Sequence, residues 1–150
     1  MINGVIIKKI SKNEDSRGWL AEFYRQDEIK YRPVMSYLSV TKAGVARGPH
    51  EHKSQTDGFV FIGPSNFELY LWDRRENSLT NGEHVKIQVG GNNPVLVIVP
   101  PGIVHGYKNI SDADGWCINM PDKLYKGEGK KDEVDEIRWE QDEDTPYKII

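Results

Sequence analysis

The sequence predicts an all-β fold, an antiparallel sandwich or jelly-roll barrel with little helix. Apolar and β-branched residues come in short runs such as Val34 to Val40, Phe67 to Trp72 and Val95 to Val99. Turn-forming residues separate these runs at short intervals, and no heptad or internal repeat passes through the chain.

Taken in order, the first strand is expected at Val5 to Ile10, an apolar start interrupted only by Lys8 and Lys9, and the second at Trp19 to Tyr24, after Gly18. Val34 to Val40 follows and ends ahead of Gly44, and Gly58 to Ile62 is closed by Gly63-Pro64. In Phe67 to Trp72 the residues Phe67, Leu69 and Leu71 share one face and Glu68, Tyr70 and Trp72 the other, the two-residue period of a strand with one core face. Asn81-Gly82 precedes His84 to Val89, and Gly90 to Pro94 separates that strand from Val95 to Val99. Pro100-Pro101-Gly102 makes a rigid turn, and Trp116 to Met120 is the last expected strand. Residues 123–150 read as a charged C-terminal turn and tail, solvated, with a short helix at Glu133 to Arg138 as an option.

A chain of 150 residues fits one domain, 1–150, without a linker long enough to divide it. It contains 37% hydrophobic and 29% charged residues with 4 Trp, 7 Tyr and 4 Phe, which disfavours disorder. The single cysteine, Cys117, can form neither an intrachain disulfide nor a thiolate zinc cluster, so a cytoplasmic location is expected. No apolar run approaches the length of a membrane span or signal peptide, so no membrane association is expected. A net charge of −3 supplies no basic field and argues against nucleic acid as a partner.

Three of the four histidines fall in two compact clusters, Arg47-Gly48-Pro49-His50-Glu51-His52-Lys53 and Pro100-Pro101-Gly102-Ile103-Val104-His105-Gly106-Tyr107. If residues 49–53 are extended, His50 and His52 face one way and Glu51 the other. His105 follows the Pro-Pro-Gly turn, which can aim a side chain into a barrel mouth. Exposed loop histidines would be the plain explanation of any one of them, but it weakens for three together. Asp57 follows five residues after His52, and the order His50, His52, Asp57, His105 matches a metal-ligand pattern of cupins. Imidazoles with a carboxylate would suit zinc, manganese, iron or nickel.

Four motifs occur in a fixed order: Asp15-Ser16-Arg17-Gly18-Trp19-Leu20-Ala21-Glu22, then Arg47-Gly48-Pro49-His50, then Asp73-Arg74-Arg75-Glu76-Asn77-Ser78, and Pro101-Gly102-Ile103-Val104-His105-Gly106-Tyr107. In these the chain resembles the dTDP-4-dehydrorhamnose 3,5-epimerases. The resemblance implies a cupin jelly roll, a homodimer, and epimerisation of a dTDP-linked 4-keto-6-deoxy sugar without metal or other cofactor. It also implies His50 as general base, Arg47 on the substrate, and Arg17 on the nucleotide diphosphate, often from the neighbouring subunit. Glu22, His52, Asp57, His105 and Tyr107 are carried over as pocket residues, and Tyr125 as the acid on the opposite face. Asp73 and Ser78 read as turn formers. Such chemistry is accessible because carbons flanking a ketone lose a proton to give an enolate, so a base on one face and an acid on the other invert the centre.

The departures are specific. Where the family has a lysine that could stabilise the enolate, this chain has Gln55-Thr56-Asp57. The family's C-terminal aspartate partner for the basic histidine has no counterpart, with Asp57 as a substitute candidate, and the Gln and Asn of the strand before Arg-Gly are Met35 and Tyr37. The Arg47 to Lys53 segment resembles the sugar 3,4-ketoisomerases still more closely, whereas the Asp73 to Ser78 and His105-Gly106-Tyr107 motifs favour the epimerases. Three readings therefore stand beside the epimerase: a metal-dependent cupin enzyme using His50, His52, Asp57 and His105, a sugar 3,4-ketoisomerase, and a sugar-binding cupin without catalysis.

Overall fold

A computed structural model describes residues 1–150. Two five-stranded antiparallel sheets face each other. The first contains β1 (Ile6–Lys9), β4 (Tyr37–Thr41), β6 (Asp57–Phe61), β9 (Val95–Val99) and β11 (Gly115–Asn119), in the order β1-β9-β6-β11-β4. The second contains β5 (Ala46–Glu51), β7 (Asn66–Asp73), β8 (His84–Gly90), β10 (Ile103–Asn109) and β12 (Ile137–Arg138), in the order β12-β5-β10-β7-β8. A separate hairpin pairs β2 (Asn13–Asp15) with β3 (Gly18–Leu20). No helix is long and apolar enough to cross a membrane.

The main core lies between the sheets. Phe67, Leu69 and Leu71 of β7 enter it together with Phe59, Phe61, Val95, Val97, Val99, Ile103 and Tyr107. The uninterrupted run of β9 follows from burial on both faces: Val95, Val97 and Val99 point into this core, while Leu96 and Ile98 join Ile10, Tyr31, Val60 and Met120 on the other side. That second cluster is covered by Ala21, Phe23, Tyr24 and Ile29, which explains why only Gly18–Leu20 of the expected second strand is paired. The following residues leave the hairpin to cover the sheet.

Strands β5 and β10 stand where the sequence suggested only turns and an extended stretch. Gly and Pro punctuate β5, yet it pairs with β10 and β12. Gly106 in β10 is a close-approach position, since a Cβ there would lie 2.6 Å from Ile149 Cδ1 and 2.7 Å from the Arg47 carbonyl oxygen. The C-terminal region departs from the expected tail. Its side chains are mostly exposed, as its charge suggests, but the helix considered at Glu133 to Arg138 is absent. Ile137 and Arg138 instead pair with Glu51 and His50, and sheet pairing outcompetes a helix too short to sustain itself. The chain then crosses the outer face of the second sheet, where Tyr147 packs edge-on against Trp72 and Trp139, and the Tyr70 hydroxyl donates to the Ile150 carbonyl at 2.5 Å.

Candidate active site

The two sheets splay at one end around a cavity of about 1350 Å³, roofed by residues 121–140. The second sheet supplies Arg47, His50 and Tyr107 to its wall, and the first supplies Tyr37, Ser39, Asp57, Phe59 and Asn119. His50 of β5 and His105 of β10 are direct cross-strand partners, with ring centroids 4.5 Å apart and planes at 74°. The register then shifts, so that Tyr107 opposes Arg47. Only glycine suits position 48, where φ is +80° and a Cβ would come within 2.8 Å of the His105 carbonyl oxygen. That close approach seats His50 beside His105. His52 shares the cavity side of the segment with His50, and Glu51 points away to pair with Arg74, as strand alternation requires.

His52, Asp57 and His105 form a buried cluster. Asp57 Oδ2 lies 3.0 Å from His52 Nε2 and 3.2 Å from His105 Nε2, and Gln55 Nε2 donates to Asp57 Oδ1 at 2.8 Å. His52 Nδ1 donates to the Asp135 carbonyl, and His105 Nδ1 to that of Ile103 at 2.9 Å. Burial alone would raise the Asp57 carboxyl, but contact with His105 and His52 outweighs it and holds the group well below the carboxylate range. For His52, burial opposes the charge, while Asp57 and the Asp135 carbonyl favour it and lift the imidazole to about 9. His50 goes the other way: burial first, then the neighbouring His105, push it well below 6.5. The result is a neutral imidazole at His50, able to accept a proton, next to a charged one at His52 that is ion-paired with Asp57.

Asp57 pairs with His52 and His105 rather than with His50, so it is not the substitute partner that its spacing suggested. Arg47 is braced by Nε to Thr41 Oγ1 at 2.9 Å and by Nη2 to the Val40 carbonyl at 2.7 Å, which leaves Nη1 free at the cavity wall. Tyr107 reaches the cavity, but its ring packs edge-on against Phe61 and Phe67 in the core. Tyr125 lines the cavity from the roof, half-exposed, with its N–H on Met35 Sδ. Arg17 and Glu22 lie outside the cavity: Arg17 sits on the β2–β3 turn bonded to Asp15 at 2.6 Å, and Glu22 is near Arg25. Asp73 anchors its turn by accepting from Arg75, Ser78 and Thr80.

Sequence reasoning passed over Asn119 and Asp135, and took Tyr37 only as a departure from the family's asparagine. The alternation Tyr37, Ser39, Thr41 puts polar groups on the inner face of a strand, and that was the available signal. Asp135 sat in a charge run and carried none. Its carboxylate accepts from the backbone N–H of Lys53, Ser54 and Gln55 and from Ser54 Oγ, pinning the roof to the loop behind His52.

The ligand atoms of His50, His52, Asp57 and His105 all lie within 4.8 Å of one another. With Nδ1 of His52 and His105 tied to main-chain carbonyls, their Nε2 atoms turn inward, the arrangement of metal-ligating histidines. His105 Nε2 is buried and makes no hydrogen bond, its 3.2 Å approach to Asp57 Oδ2 being an ion-pair contact alone, so this donor set fits a divalent cation.

The profile of the family described as dTDP-4-dehydrorhamnose 3,5-epimerase matches residues 1–144. The "Spore coat polysaccharide biosynthesis protein SpsL" of Bacillus subtilis is 33% identical over 147 residues, which are 97% of this chain and 93% of that protein. A "Probable low-salt glycan biosynthesis epimerase" of Haloferax volcanii is 36% identical over 135 residues, 88% of this chain and 86% of that protein. The crystal structure of a dTDP sugar isomerase from Desulfovibrio desulfuricans superposes with a TM-score of 0.84 at 20% identity, covering 98% of this chain and 91% of that one, and bears out the cupin-type jelly roll. By the matched profile and these two relatives, the chain belongs to the dTDP-4-dehydrorhamnose 3,5-epimerase family.

Proposed function

We propose that this protein is a nucleotide-sugar epimerase that inverts a carbon flanking the C4 ketone of a dTDP-4-keto-6-deoxyhexose. The observation that carries the proposal is the neutral, half-buried His50 imidazole facing a cavity large enough for a nucleotide sugar. His50 takes the proton from C3 or C5. The electron pair moves into an enolate, whose oxygen meets positive charge from the free edge of Arg47. Both relatives are named for polysaccharide or glycan biosynthesis, which supports a role in supplying a deoxysugar for such polymers.

Arg17 and Glu22 act, in this proposal, from the second subunit of a homodimer. Exposed Trp19, Leu20, Leu38, Val40 and Trp116 support association, and Arg17 has no access to the cavity of its own chain. The lone buried Cys117 supports a cytoplasmic location. Incubation with a panel of 4-keto-6-deoxy nucleotide sugars in deuterated water should place deuterium at C3 or C5 of an inverted product, read by NMR. A ketone moved to C3 would instead make the protein a ketoisomerase, and tight binding without exchange would make it a sugar-binding cupin.

The convergence of His50, His52, Asp57 and His105, with His105 Nε2 making no hydrogen bond, supports a second reading, a metal-dependent enzyme. His52, Asp57 and His105, with His50, would hold the cation, which as a Lewis acid would polarise a substrate oxygen. Stoichiometric metal in tag-free protein, lost in His105→Ala, would favour this reading. Full exchange activity in metal-free protein would reject it.

A further inference from the structure

We infer that Tyr37 is the acid that returns the proton on the face opposite His50. The inference rests on the epimerase reading above and gives its second proton transfer a residue. Inversion requires donors on both faces of one carbon, so the acid must project from the wall that faces the base. β4 runs into the turn at 42–45 and β5 runs back out of it, in the opposite sheet. Tyr37, four residues before Thr41, and His50, three after Arg47, are thereby brought to the same end of the barrel on facing sheets. The Arg47 bonds to Thr41 and Val40 fix the spacing of the two strands. Both side chains line the one cavity.

The surroundings of the phenol suit a donor. Asp57, Glu136, Cys117 and Arg47 are its titratable neighbours, and none of them hydrogen-bonds its hydroxyl. Tyr37 is half-exposed, as Tyr125 is, and its partial burial, with Asp57 next, pushes it up to about 12, so it keeps its proton at neutral pH. Tyr125, by contrast, hangs from the roof segment beneath the Lys126 ammonium, 5.7 Å from its ring, and belongs to neither wall. Tyr37 also stands where the family carries an asparagine, which has no comparable proton to give.

The step balances without a co-reactant. His50 removes the proton and the C–H pair becomes the enolate. The Tyr37 O–H bond then breaks, its proton forms the new C–H bond on the other face, and the carbonyl is restored. The imidazolium proton passes through solvent to the phenolate and resets the pair.

The test separates exchange from inversion in Tyr37→Phe. A base alone can still remove a proton and return deuterium to the same face. Tyr37→Phe should therefore continue to wash deuterium into recovered substrate of unchanged configuration, within a few-fold of the wild-type rate, while inversion falls by about 100-fold or more. Tyr125→Phe should not reproduce this split between exchange and inversion. Inversion by Tyr37→Phe at the wild-type rate overturns the assignment, as does equal loss of exchange and inversion, which would mark a binding role. The exchange-without-inversion pattern in Tyr125→Phe instead would move the acid to the roof. Absence of both exchange and inversion in the wild-type protein across the sugar panel would defeat the epimerase reading itself, an outcome distinct from these.

Discussion

Replacing Asp135 by alanine should loosen the roof of the cavity and destabilise the protein measurably. Its carboxylate accepts from the N–H groups of Lys53 at 3.0 Å, Ser54 at 2.9 Å and Gln55 at 3.1 Å, and from Ser54 Oγ at 2.7 Å. A hydrogen bond to a charged group contributes about 1.5–3 kcal/mol, but these amides are near solvent and water replaces part of the loss. A net cost of about 2 kcal/mol follows, which for a chain of this size lowers Tm by about 4–8 °C. Because the His52 Nδ1–H rests on the main-chain carbonyl of the same residue, the loosened segment should also carry that acceptor away and slow the reaction. Thermal unfolding by circular dichroism measures the first effect, and hydrogen exchange at the amides of residues 53–55 measures the local one. A Tm within about 1 °C of wild type together with unchanged protection at those amides would refute the reasoning.

Leu69→Ala removes a fully buried side chain between the sheets and should cost about 2–5 kcal/mol in denaturant unfolding. Gly106→Ala places a methyl group against the Arg47 carbonyl and Ile149, so it should lower Tm and, by prising β10 from β5, reduce exchange activity more than Leu69→Ala does at equal stability. Asp73, held below its ordinary carboxylate range by Arg75, with Ser78 and Thr80 adding, contributes stability that is complete above about pH 4 and is lost as pH falls toward its folded value. Asp73→Asn should therefore be less stable than wild type at pH 7, and the gap should narrow in urea titrations between about pH 4 and pH 2.

What the sequence disclosed follows the strength of each local signal. The doubly buried run of β9 and the strict alternation of β7 were legible because burial on two faces or one leaves a direct mark on composition. β5 and β10 were not, because Gly48, Pro49 and Gly106 punctuate them. These residues serve close approach between strands and register, which only the folded pairing reveals. The histidine clusters and Asp57 were found by type and spacing, and the fold brings them together. Their division of labour was hidden, since it depends on which ring receives Asp57 and which is left unpaired. Arg17 and Glu22 came from a motif that lies outside the cavity of the chain that carries it. Asp135 and the β12 pairing were masked by a charge-rich stretch that looks like a solvated tail.

The most direct measurement compares wild-type protein with His50→Asn on the same 4-keto sugar in deuterated water, following label at C3 and C5 over time. Label should enter with the wild type, and with the variant it should stay at the level of a protein-free control while the fold, checked by circular dichroism, is intact. Labelling by His50→Asn at the wild-type rate would contradict the assignment of His50 as the base.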